Sequence, residues 1–390
     1  MHPNVPHLRF PEFHGEWEKC KLGDIAILTK GSGISKDQRS ATGTPCILYG
    51  ELYTTYKSEV IDYVVSKTDI SDKNLVRSCA NDIIIPSSGE TAIDISTARC
   101  VLSPDVLLGG DLNIIRLKDG DGRFFSYQLN GVRKYDIAKI AQGVSVVHLY
   151  GESIKGLTVS FPSNKEQQKI STLLSLIDER IATQNKLIED LKKLKSAIIE
   201  IEYTPNNKYT SHIGDVIEQI SKRNKNNTIQ NVLSVSNRQG FIKQSDQFEN
   251  RNVASEDTSN YKIVEQNDFA FNPARINVGS IARLTTFEKG IVSPMYICFR
   301  TQENVAPEYI DFFFESKHFY CEIQKRLEGS VRQCLSFEGL CNIPFSLPSL
   351  EMQQRIGKRL FTLGQKIKTE TDLLELLNKQ KQYLLRQMFI

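Results

Sequence analysis

Residue types that do chemistry are present in this chain, but not at the spacings chemistry needs. Lys30-Gly31-Ser32-Gly33-Ile34-Ser35-Lys36 has the Gly, Ser and Lys content of a phosphate-cradling loop. It lacks the third Gly of a GxGxxG loop and follows a helical pattern rather than a strand, and no GxxxxGK[ST] occurs anywhere. The six histidines are too dispersed to gather round a metal, and none stands at zinc spacing from a cysteine. The eight cysteines, Cys20, Cys46, Cys79, Cys100, Cys298, Cys321, Cys334 and Cys341, are scattered without a CxxC. They read as free thiols in a reducing cytoplasm. No Ser-His-Asp arrangement emerges. His148, flanked by apolar residues, reads as structural, and Trp17 as packing. No catalytic and no metal-ligating residue is expected.

What remains is a set of polar and cationic loops. In the first half these are Lys30, Ser32, Ser35 and Lys36, then Ser87, Ser88, Glu90 and Thr91, with Ser145 further on. In the second half they are Lys222, Arg223, Asn224 and Lys225, then Ser236 and Asn237, then Asn272, Arg275 and Asn277, with Arg332 and Gln333 further on. Arg, Lys, Asn and Gln pair with base edges, and Ser, Thr and backbone amides suit phosphates. Taken singly, each loop reads more simply as a solvated turn. Their weight comes from recurring at comparable places in two halves of the chain. Asn272-Pro273-Ala274-Arg275 approaches the Asn-Pro-Pro-aromatic motif of DNA amino-methyltransferases, but lacks the second Pro and the aromatic that stacks a flipped base.

The elements that must position these loops are organised by two long helices. From Ser163 to about Ile201 there is no Pro and no Gly. Ile170, Ile177, Leu191 and Ile198 repeat one heptad position, and Leu174, Ile181 and Ile188 the other, with Gln184 and Lys195 as polar interruptions. An apolar repeat of 3.5 residues marks a supercoiling helix. At 1.5 Å per residue the run would make a rod of about 55 Å. Its mate lies in the same chain: Ile356, Leu363 and Leu377 on one position, Leu360, Ile367 and Leu374 on the other, with Glu370 and Lys381 as the breaks. The offset is constant, 356 − 170 = 186. Asn267-Asp268 repeats Asn81-Asp82, Gly329 repeats Gly143, Pro348 repeats Pro162 and Gln353-Gln354 repeats Gln167-Gln168 at that offset. Ser163 and Glu166 fit a capping box, and Ser349 can cap the second helix.

Between these landmarks the pattern is mixed. Lys21 to Gly31 reads as a short helix. Five short β runs follow, within 46–52, 59–65, 81–86, 98–103 and 112–117, separated by turn residues. Phe124 to Gly143 and Glu308 to Leu327 read as helical. The expected fold is α+β, two mixed α/β units in tandem, separated and followed by long helices forming an antiparallel coiled coil. The expected boundaries are an N-terminal arm 1–16, a first unit 17–162, a first helix 163–203, a second unit 204–348 and a second helix 349–390. A composition of 40% hydrophobic and 24% charged residues suits a globular protein. There is no membrane-length apolar run and no secretory signal pattern. The net charge of +3 is too small to announce a nucleic-acid binder, so any DNA footprint must be local.

Together these features resemble the specificity subunits of type I restriction-modification systems. The resemblance covers the whole chain. It rests on the tandem order, on GEWEKCKLGDI at the start, on FPSNKEQQKI and LPSLEMQQRI ahead of the long helices, and on NPARINVGSIA at Asn272–Ala282. It implies two target recognition domains, each reading one half of a gapped, asymmetric double-stranded DNA target. It implies that the long helices are spacers that dock two modification subunits, and that two restriction subunits can join. It also implies no catalysis by this chain, with S-adenosylmethionine and ATP/Mg bound by the partners. The expected rod exceeds a DNA helical turn of about 34–36 Å. Two competing readings are a duplicated coiled-coil interaction scaffold and, on Asn272 alone, a self-contained DNA methyltransferase.

Overall fold

The structure is a computed structural model that describes residues 4–71, 74–204, 209, 211–237, 239–247, 257–329 and 333–390. The chain forms two compact units, Met1–Asn185 with Asp372–Ile390, and Lys186–Thr371. The first heptad run folds as one helix of 40 residues, Asn164–Tyr203, and the second as one of 38, Leu350–Gln387. All fourteen seam positions named above from Ile170 to Leu191 and from Ile356 to Leu377, Gln184 and Glu370 included, are buried or half-buried. In the first unit Ile170, Leu174 and Ile177 share a core with Leu384, Leu385, Met388 and Phe389. In the second, Ile198, Ile199 and Tyr203 share a core with Ile356 and Leu360. Each unit thus sets the start of one long helix beside the end of the other, the antiparallel arrangement that the seams require.

Both helices begin in the same way. Gln167 Nε2 donates to Pro162 O at 2.8 Å, and its Oε1 accepts from Asp121 N at 3.0 Å. Gln353 repeats this with Pro348 O and Ala306 N, both at 2.9 Å. A buried carboxamide that satisfies two backbone groups fixes where the helix leaves its domain. Ser349 Oγ accepts from Met352 N at 3.4 Å, as a cap does. The expected box at Ser163 takes another form. Glu166 is buried, and both its oxygens accept from Arg9, at 2.8 Å each. The N-terminal arm is therefore fastened to the helix start, and Leu8 N also donates to Gln387 O at 2.8 Å.

The main sheet of the first unit has the order Ala26–Lys30, Leu112–Leu117, Asp82–Pro86, Arg99–Val101, Val60–Ile61, antiparallel except for the last pair. That of the second runs Ile217–Ile220, Ile297–Thr301, Phe269–Phe271, Ile281–Arg283, antiparallel throughout. Two sequence readings change here. Lys21 to Gly31 is one helical turn, Leu22–Ile25, followed by a strand. Only Asp24, whose carboxylate accepts from Lys21 N, supports the turn, and past it pairing with Leu112–Leu117 prevails. The run read as β through Leu52 stops at Ile47. The buried Glu51 carboxylate accepts from Leu48 N at 2.9 Å and starts a helical turn, Glu51–Thr54.

The two seam lysines meet different partners. Lys195 pairs with Glu315 at 2.6 Å and keeps a fifth of its side chain exposed. Lys381 is buried, yet fully paired: its Nζ lies 2.5 Å from Glu59 and 2.6 Å from Asp178. Asp178 also accepts from Tyr127 OH at 2.8 Å and Ser58 Oγ at 3.0 Å. Burial alone would lower the Lys381 pKa, but Glu59 and Asp178 outweigh it and hold it above the ordinary lysine value. Removing one partner from a buried charge set strands the others, at about 3–5 kcal/mol. Lys381→Met is predicted to destabilise the first unit by that order, and the triple change Lys381→Met, Glu59→Gln, Asp178→Asn to restore most of it. Trp17, the single tryptophan, lies in that unit's core and reports the transition in denaturant titrations. Because the folded pKa is raised, the advantage of Lys381 holds below about pH 10.4 and is lost as pH climbs through the folded value.

Candidate nucleic-acid interface

In the first unit the predicted loops gather at one end of the main sheet. Lys30 ends its strand opposite Asn113, and Pro86 ends its own opposite Leu112. Beyond Pro86 the chain enters Ser88–Gly89, which pairs with Val147–His148. Asn113 Nδ2 donates to Leu149 O at 2.8 Å, and Leu149 N donates to Ser87 O at 2.9 Å. The loops at 30–36, 87–91 and 143–148 are thereby tied together.

The second unit builds the same end from different residues. Ile220 stands opposite Cys298 and Phe271 opposite Ile297, so the loops after Ile220 and Phe271 leave from one sheet end. Leu335 N donates to Pro273 O at 3.0 Å, the repeat of the Leu149–Ser87 bond 186 residues on (335 − 149 = 273 − 87 = 186). Ser280 Oγ donates to Val235 O at 3.2 Å, which brings the 236–237 turn beside the 272–280 loop. An open groove of about 750 Å³ is lined by Lys222, Arg223, Lys225 and Lys289 among others. Lys289 is held by Glu265 at 2.9 Å, and that bond keeps the Glu265 carboxyl below its usual pKa.

The candidate side chains divide into two kinds. Some are already used within their own unit. Ser32 Oγ accepts from Val76 N at 2.9 Å, and Ser35 caps a 3-10 turn closed by Gln38. Ser87 is buried beside Asp111, Ser88 lies half-buried in its strand, and Thr91 caps Asp94. Asn224, 2% exposed, donates to Ile229 O at 3.0 Å and accepts from Ile229 N at 3.2 Å. Asn272 Oδ1 accepts from Ala274 N at 3.1 Å, Ser236 Oγ accepts from Gln239 N at 3.4 Å, and Arg223 is held by Asn260 at 3.0 Å.

Others remain available. Among the described residues Lys30, Lys36, Lys222, Lys225 and Arg275 are exposed, with no side-chain hydrogen bond or ion pair. Glu90, Ser145, Asn237 and Gln333 are exposed and Asn277 is half-buried, while Arg332 lies outside the described residues. Two features escaped the sequence reading. Lys289 joins the basic groove from a distant strand. Val144 and Val146 stand 96% and 52% exposed on a hairpin tip, and the only signal for it was the Gly143 that opens the turn. Among the described residues no three His, Cys, Asp or Glu side chains converge as a metal site would need, and no helix is long and apolar enough to cross a membrane.

A family model described as the type I restriction modification DNA specificity domain matches residues 14–193 and again 205–379. The type I restriction enzyme MjaVIII specificity subunit of Methanocaldococcus jannaschii is 23% identical over 418 residues, covering 96% of this chain and 92% of the relative. A putative type I specificity subunit of Mycoplasma genitalium, S.MgeORF438P, is 23% identical over 397 residues, with 96% and 94% covered. The crystal structure of a type I restriction-modification S subunit from M. genitalium superposes with a TM-score of 0.65 at 18% identity, over 99% of both chains. A chain from a study of type I R-M complex assembly and conformational transition gives 0.54 at 14% identity, over 98% and 99%. These likenesses show the fold: tandem mixed α/β domains, with a long helix after each.

The split between used and available side chains predicts two kinds of variant. Lys222→Ala and Lys225→Ala are expected to weaken DNA retention alike for all sequences, each lowering the salt slope by about one. Asn224→Ala is expected to cost about 1–3 kcal/mol of stability, by stranding buried backbone groups. Titrations at several salt concentrations and denaturant unfolding separate the two.

Proposed function

This chain belongs to the type I restriction-modification DNA specificity family, and we propose that its two units each read one half of a gapped, asymmetric DNA target. The observation that carries this reading is the repeated sheet end. One frame of backbone bonds recurs 186 residues apart, and the side chains it presents differ. Two related but non-identical readers call for two unlike half-targets. The long helices set the spacing and dock two modification subunits, which two restriction subunits can join. S-adenosylmethionine belongs to the modification partners, and ATP with Mg to the restriction partners.

Catalysis is assigned wholly to those partners. In support, Asn272, the lone residue suggesting methyl transfer, is 9% exposed and accepts from its own loop. The formal charge of +3 also fits a chain that shares phosphate neutralisation with its partners. A scaffold with no DNA role accounts for the helices but not for the exposed cations gathered at each sheet end.

The test uses the chain assembled with its modification partner. Salt-dependent protection of one gapped sequence is expected. Exchanging residues 17–162 for the same unit of a relative should then change one half of that sequence and leave the other. If both halves changed, or no gapped sequence were protected, the two-reader account would fail.

A further inference from the structure

Among the described residues, the most exposed large apolar side chain sits at the first unit's sheet end, on a hydrogen-bonded mount. Gln142 and His148 exchange both backbone hydrogen bonds, at 2.9 and 2.7 Å, and close a short hairpin. Gly143 holds φ at +123°, and a Cβ there would stand 2.1 Å from Val146 O, so only Gly fits. His148 pairs with Ser88, and Leu149 bonds to Ser87. The hairpin is therefore anchored on the loop that follows the buried strand Asp82–Pro86. Its tip carries Val144, 96% exposed, Ser145, exposed, and Val146, 52% exposed. Tyr150, 47% exposed, stands just beyond, its ring stacked with His148 at 6.2 Å.

The second unit repeats the mount, and the sequence between its ends differs. Glu328 and Cys334 exchange the same pair of bonds, at 2.9 and 2.8 Å, and Gly329 holds φ at +104°. Val144, Ser145 and Val146 correspond at the 186 offset to Ser330, Val331 and Arg332. Gln333, exposed, takes the place of the buried Val147. A fixed frame with interchanged tip chemistry is what a specificity element requires. Arg and Gln read bases through paired hydrogen bonds. Val-Ser-Val offers no bidentate group, only two branched apolar side chains flanking one hydroxyl. In the major groove the one base-edge feature that rewards apolar contact is the thymine C5-methyl.

We infer that the 143–148 hairpin is a specificity element of the first unit, and that Val144 and Val146 read the C5-methyl of a thymine in its half of the target. This rests on the DNA-reading function proposed above and deepens it. Ser145 lies between the two valines, where it can hydrogen-bond the same base pair.

The experiment uses the assembled complex and the gapped target it protects. In separate duplexes, each thymine of the half assigned to residues 17–162 is replaced by deoxyuridine, which removes only the methyl. Binding is titrated at fixed salt with wild type, Val144→Ser and the double variant Val144→Ala, Val146→Ala. Burying one methyl corresponds to about a fourfold change in affinity. Wild type is expected to lose about fourfold at one thymine position, while both variants bind thymine and deoxyuridine equally there. Deoxyuridine in the other half should give the same ratio in all three proteins. Val144 touches solvent almost everywhere, so the single variant should melt with wild type. The inference is overturned if no thymine is sensitive, if sensitivity survives in the variants, or if that half lacks thymine on both strands. Failure to protect any gapped sequence would instead overturn the two-reader account itself.

Discussion

The constraint on which this structure depends is the seam of its two long helices. Neither can leave a row of Ile and Leu in water, and each is too long for a single domain core to cover. The chain meets this by duplication. Each unit contributes a core into which the start of one helix and the end of the other are built, so helix burial and domain folding become one event. Ile170 and Phe389 lie in one core, Tyr203 and Leu360 in the other. The final residues of the chain thus belong to the core of its first domain. Phe389 packs on Phe124 at 5.1 Å, and Arg133 donates to Ile390 O at 2.9 Å.

That arrangement explains the polar residues within the seam. Lys381 sits deep because Glu59 and Asp178 meet it, and without them its buried charge would be costly. Lys195, at the matching place in the other helix, meets a single exposed carboxylate. The repeat fixes backbone and register and leaves electrostatics free to differ between copies. The two sheet ends show the same division, with repeated hydrogen bonds beneath unlike side chains.

Much of this was legible in the sequence because helix seams and repeats are periodic, and period survives without knowledge of contacts. The offset of 186 located the second helix, the Asn-Asp turns at Asn81 and Asn267, and the glycines at 143 and 329. Short-range readings fared less well where a distant partner decides. Lys21–Gly31 carries one helical turn's worth of signal, and strand pairing overrides the rest. Glu166 suits a capping box until Arg9, 157 residues away, takes both its oxygens. The loops were located, but not which of their side chains are available. Ser32, Ser87, Asn224 and Asn272 look like contacts in sequence. Asn224 and Asn272 bond backbone a few residues away, as short polar side chains readily do, while Ser32 and Ser87 are taken by Val76 and Asp111 on other segments. The exposed valines were missed because an apolar residue in a sequence reads as core until its surroundings are known.

If this chain holds two DNA readers at a set spacing, it dictates where its complex methylates DNA. Single-molecule methylome sequencing of cells with and without the chain tests it most directly. The expected result is one bipartite, asymmetric motif with a fixed gap, methylated only when the chain is present. An unchanged methylome, or loss of methylation at a contiguous palindromic motif, would contradict it.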